Sequence, residues 1–118
     1  MTTEQLAFRV IRALCLVAEA ASFAVTNYPD EFYRQFDKRL PSLAADFAEH
    51  VAQDMIDDEG FGPSDSFVLS GLLRNIDWLM QIDRAGLQKL TMCAVPEDTY
   101  LASLRTDIQA ALNVAETE

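Results

Sequence analysis

Residues 6–25 read LAFRVIRALCLVAEAASFAV, and only Arg9, Arg12, Glu19 and Ser22 among them are not apolar. A helix on the surface of a small domain needs one apolar stripe, and this segment carries more than one. Leu6, Val10, Ala13, Leu14, Val17, Ala21 and Val25 recur at the three-to-four spacing of a single helical face. Phe8, Ile11, Cys15 and Ala18 form a second face beside it. An export signal, a membrane span, a buried core helix and a protein interface all use such a segment.

Charge argues against the first two. The uncharged run from Ala13 to Ala18 is shorter than the ~7–15 apolar residues of an export signal, and Glu4 spoils a basic leader. A span needs ~20 mostly apolar residues, and two arginines and a glutamate make this one unsuitable. A cytoplasmic protein is the expectation. Cys15 and Cys93 lie far apart in apolar surroundings without C-x-x-C spacing, which fits reduced thiols in that compartment.

At 118 residues the chain has the length of one domain. Such a chain buries roughly two-thirds of its unfolded surface, enough for a real core. Its formal charge of −10 sets it against polyanions, so neither direct nucleic-acid binding nor docking on an anionic membrane is expected.

Pro29, Pro41, Pro63 and Pro96 fall between periodic segments and divide the chain into five helical units. Strand-like alternation and hairpin dipeptides are missing. The fold class expected is therefore all-α, a compact bundle of about five helices in one domain, 1–118, with a long, broadly apolar first helix. Thr2 and Gln5 form a capping-box pattern at its start, and the helix should run to about Thr26. A short second helix over 30–39 has Asp30 as N-cap and gathers Phe32, Tyr33, Phe36 and Leu40. A third, over 42–58, carries Leu43, Phe47, Val51 and Met55, with Gly60 placed to end it. A long fourth helix starts at Ser64 or Ser66 and runs through Leu90, with Gly86 the point at which it would break or bend. The last helix opens at Val95-Pro96-Glu97-Asp98 and buries Leu101, Leu104, Ile108 and Leu112.

Signals for chemistry are sparse. His50 shares a helical face with Asp46 and Asp54, a row that could hold a metal, but a solvated polar face explains the same residues. The Glu-x-x-His pairing of helical di-metal sites is absent, since Phe47 stands three before His50. Asp57-Asp58-Glu59-Gly60 fails as a calcium loop, because the oxygen-bearing positions fall on Met55 or Phe61. Gly60-Phe61-Gly62 fails as a dinucleotide loop, with no strand before it. No nucleophile motif accompanies the one histidine. The chain reads as a non-enzyme that needs no metal and no cofactor.

Two uneven features remain. Between Arg39 and Arg74 there is no basic residue, whereas Asp46, Glu49, Asp54, Asp57, Asp58, Glu59 and Asp65 are acidic. This block either keeps the protein soluble or steers it towards a basic partner. The aromatics Tyr28, Phe32, Tyr33 and Phe36 either cap the core or form an interface patch beside Arg34 and Arg39. Trp78 lies off the main stripe of its helix and raises the same question.

The other helices, short or singly striped, look too few to enclose the first. One of its faces is thus expected in the subunit core, and the other, with Phe8, Ile11 and Cys15, in a homodimer or partner interface. In overall size, apolar opening helix and acidic 46–65 block, the chain resembles the small bacterial antiactivators of quorum-sensing regulators, the TraM and QslA kind. That resemblance implies a dimeric inhibitor that blocks dimerisation or DNA binding of a LuxR-type transcription factor. The alternatives are a phage anti-CRISPR or toxin-immunity inhibitor using acidic DNA mimicry, a structural adaptor, or a metal-dependent enzyme.

Overall fold

The computed structural model describes residues 1–56 and 64–117. Within them the chain forms α1 (Thr3–Asn27), α2 (Pro29–Gln35), α3 (Leu40–Asp54), α4 (Asp65–Gln81), α5 (Arg84–Thr91) and α6 (Asp98–Thr117). No strand occurs among the described residues, and the architecture is an all-α bundle with a long first helix.

α1 begins as its sequence dictates. The Gln5 amide donates to the Thr2 hydroxyl at 3.2 Å, and the Thr2 amide donates to the Gln5 side-chain oxygen at 2.9 Å. Two N–H groups left orphaned by the first turn are thereby satisfied. Along the inner side, Val10, Leu14, Val17, Ala20, Ala21 and Ala24 are wholly buried. α1 touches every other helix and packs most extensively on α3. Ala44 and Ala48 of α3 are buried as well, and side chains this small let helices pack closely.

The remaining helices enclose α1 further than its sequence suggests, since Ile11, Cys15 and Ala18 are half-buried against the core. They do not close round it. The molecule measures 50 × 31 × 17 Å, and its shortest extent is that of two packed helices, each about 10 Å across. Phe8, Arg12, Glu19, Ser22 and Phe23 stay exposed on the outer side.

The second and third helices are shorter than their periodicity implies. Pro29 takes the first helical position of α2, so Asp30 lies inside the first turn instead of capping it. α2 ends at Gln35 because Phe36 is extended and Asp37 organises a turn. The Asp37 carboxylate accepts the Arg39 amide at 2.8 Å and the Arg39 guanidinium at 2.9 Å. Those hydrogen bonds lower its pKa to about 2. α3 then starts at Leu40, with Pro41 in its first turn, and ends at Asp54. The anticipated Gly60 cap lies outside the described residues.

The expected long fourth helix is two helices. Its apolar period continues through Leu87 and Leu90, yet the backbone breaks at Ile82–Asp83. Asp83 caps α5 by accepting the Gly86 amide at 3.0 Å. Gly86 lies inside the first turn of α5 and not at the break, and a Cβ there would run into the Asp83 carboxylate, so glycine makes room for the cap. Arg84 locks the corner from within. Its buried guanidinium donates to the Leu79 carbonyl at 3.0 Å and the Pro96 carbonyl at 2.8 Å, and pairs with the exposed Asp98 carboxylate. One side chain thus ties the end of α4 to the start of α6.

α6 lies on α4, burying Leu101, Leu104, Ile108 and Leu112, with Arg105 Nε donating to Asp77 at 2.9 Å. Trp78 meets Phe47 edge-on at 4.8 Å between ring centroids, joining α4 to α3.

Candidate functional site

The residues singled out from sequence fall into three places. The first is α1. Phe8 is 70 % exposed, whereas Ile11 and Cys15 are half-buried against the core and belong largely to it. Phe8 overhangs a groove of about 560 Å³ between α1 and the start of α6, whose walls include Arg9, Arg12, Leu16, Val95, Glu97 and Tyr100. The mixture is apolar with two guanidinium groups. Among the described residues neither Arg9 nor Arg12 has an ion-pair partner.

The second place is the aromatic cluster, which the structure divides. Phe32 is 0 % exposed and is a core residue, a correction to its reading as part of an interface. Its ring stacks on Phe36 at 5.3 Å and meets Tyr33 edge-on at 5.8 Å. Phe36 is half-buried on the core, while Tyr28 and Tyr33 remain exposed. The cause is the short length of α2: with one turn facing inward, a single aromatic is wholly buried. Tyr28 instead joins Phe23 of α1, 6.3 Å away between centroids.

The third place is the acidic block. Asp46, Glu49 and Asp65 are exposed and Asp54 is half-buried, while Asp57, Asp58 and Glu59 lie outside the described residues. Exposed Ile56 and Phe67 flank that segment on either side in sequence, adding apolar surface at the end of α3 and the start of α4. Between these two helices lies a groove of about 360 Å³ lined by residues that include His50, Asp54, Arg74 and Trp78. Arg74 sets a fixed positive charge opposite the imidazole and carboxylate, which disfavours a metal cation there. Among the described residues no three His, Cys, Asp or Glu side chains converge as a metal site. No helix of the described residues is long and apolar enough to cross a membrane.

Three contributors escaped the sequence reading. Tyr100 and Val95 line the α1 groove on either side of Pro96, whose carbonyl Arg84 holds at the corner before α6. Phe23 carried a signal that was available: it follows Glu19 by four residues, on the helical face that also holds Phe8 and Arg12.

No protein-family model, curated protein or solved structure matches this chain.

Proposed function

We propose that this protein acts by occupying another protein rather than by catalysis, and that its partner presents a basic surface. The observation that carries this reading is the exposed acidity of Asp46, Glu49 and Asp65 in a stretch without a basic residue from Arg39 to Arg74. A single-sign field of this kind raises association rates with oppositely charged surfaces and sets partner choice more than affinity. DNA-binding proteins are the natural class of basic partner. An antiactivator of a LuxR-type transcription regulator in the cytoplasm, masking its DNA-binding or dimerisation surface, fits the charge, the size and the helical fold.

The test is capture by the tagged protein from its native lysate, followed by association kinetics with whatever is retained. The proposal expects a basic DNA-binding protein in near-stoichiometric amount. Asp46→Lys, Glu49→Lys and Asp65→Lys combined should slow association by about tenfold or more at low salt and flatten its salt dependence. Recovery of a nuclease or toxin would move the assignment to the anti-CRISPR or immunity class. An association rate indifferent to both charge reversal and salt would overturn the steering role.

A further inference from the structure

The outer face of α1 holds a pattern that the acidic face does not explain. Phe8, Arg12, Glu19 and Phe23 are all exposed and follow one another at spacings of four, seven and four residues. Steps of four and seven keep to one side of a helix, so the four side chains form a single stripe about 22 Å long, at 1.5 Å rise per residue. Reversed end to end, the stripe maps onto itself: each phenylalanine falls on a phenylalanine, and each charge falls on its opposite.

We propose that this stripe pairs with the same stripe of a second copy, antiparallel, about a two-fold axis at Cys15–Leu16. Arg12 then meets Glu19 of the second copy twice, on either side of the axis, and Phe8 meets Phe23 at both ends. An isologous contact demands this self-complementarity.

Three further observations favour a second copy as the occupant. Within α1, the side chains four residues from Arg12 are Phe8 and Leu16, and those from Glu19 are Cys15 and Phe23, so neither charge has a helical neighbour of opposite sign. Among the described residues neither has any other ion-pair partner. Secondly, Glu4, Arg9, Arg12 and Glu19 cancel, so α1 contributes nothing to the net charge of −10. Two copies that repel each other elsewhere can meet there. Thirdly, the ends fit: the groove beside Phe8, where Leu16, Val95 and Tyr100 stand among Arg9, Arg12 and Glu97, offers a seat of mixed character to which Phe23 and its amphipathic neighbour Tyr28 of the second copy are suited.

Sedimentation equilibrium of the purified full chain tests this without any partner, so its result is independent of the acidic-face reading. The expected result is a dimer that Arg12→Glu and Glu19→Arg each weaken by about tenfold or more, because like charges then face each other. The double variant carrying both changes should return to within about threefold of the original, since the pairs are rebuilt with signs exchanged. Both positions are exposed, and circular dichroism should register no loss of helix in any of the three. A chain that stays monomeric at high micromolar concentration, or a double variant as weak as the singles, would overturn the proposal.

Discussion

The inner and outer faces of α1 both carry large apolar side chains, and the structure buries one set and exposes the other. Leu14 and Val17 on the inner face have no exposed surface, and every other helix of the bundle touches α1. Phe8 and Phe23 on the outer face are 70 % and 42 % exposed. Apolar content therefore does not distinguish the buried face from the exposed one; the size of the flanking side chains does. Alanines on the inner face admit a neighbouring helix, whereas Phe8, Arg12 and Phe23 hold other elements of the same subunit away. Charge placement agrees, since both arginines and both glutamates of α1 are exposed.

Leu14→Ala should break the inner face and gives the largest effect. Removing a fully buried leucine costs about 2–5 kcal/mol, read as a lower urea midpoint with helical content retained at zero denaturant. A loss below about 1 kcal/mol would mean that the inner face is not the core. Arg84→Ala comes next. It leaves the buried Pro96 carbonyl without its donor and the Leu79 carbonyl with the Ile82 amide alone, at about 1–3 kcal/mol, and it loosens the seat that Tyr100 and Val95 provide beside α1. Arg84→Lys should rescue little of that loss, because one ammonium cannot reproduce the planar fork. Full rescue would show that charge alone holds the corner.

Phe8→Ala sharpens the contrast with Leu14→Ala. In the monomer it should move stability by no more than about 0.5 kcal/mol, as exposed positions usually do, while weakening self-association. The smallest effect belongs to Asp37, in the turn between α2 and α3. Its pKa is depressed to about 2 from 3.8, so its bonds to Arg39 stabilise the turn fully above the unfolded value and are lost as pH falls through the folded one. Between pH 4 and pH 2, Asp37→Asn should lose less thermal stability than the original chain. The difference is small because solvent screens both groups. Identical acid profiles would remove Asp37 from the turn's account.

Local chemistry made much of this fold legible. The Thr2–Gln5 box, the Ser64 cap, the inner stripe of α1 and the buried leucines of α6 all follow from spacing and cap chemistry. The division of α4 from α5 was hidden, because the apolar period runs straight through it and the bonds that fix the corner join residues as far apart as Arg84 and Asp98. Phe32 was hidden differently. Among four neighbouring aromatics, only the docking of α2 onto α1 decides which one turns inward. The candidate surfaces were legible as residues but not as places: Phe8 was named from sequence, while its companions Tyr100 and Val95 arrive through tertiary packing.

The most direct test of the two-faced reading of α1 is one experiment on one variant, Phe8→Ser combined with Phe23→Ser. Its oligomeric state should be measured by sedimentation, and its urea unfolding at a concentration where the original chain is also monomeric, so that mass action does not enter the comparison. The account predicts a monomer with an unchanged unfolding midpoint. A destabilised monomer would place those phenylalanines in the core, and an undisturbed dimer would place the interface elsewhere.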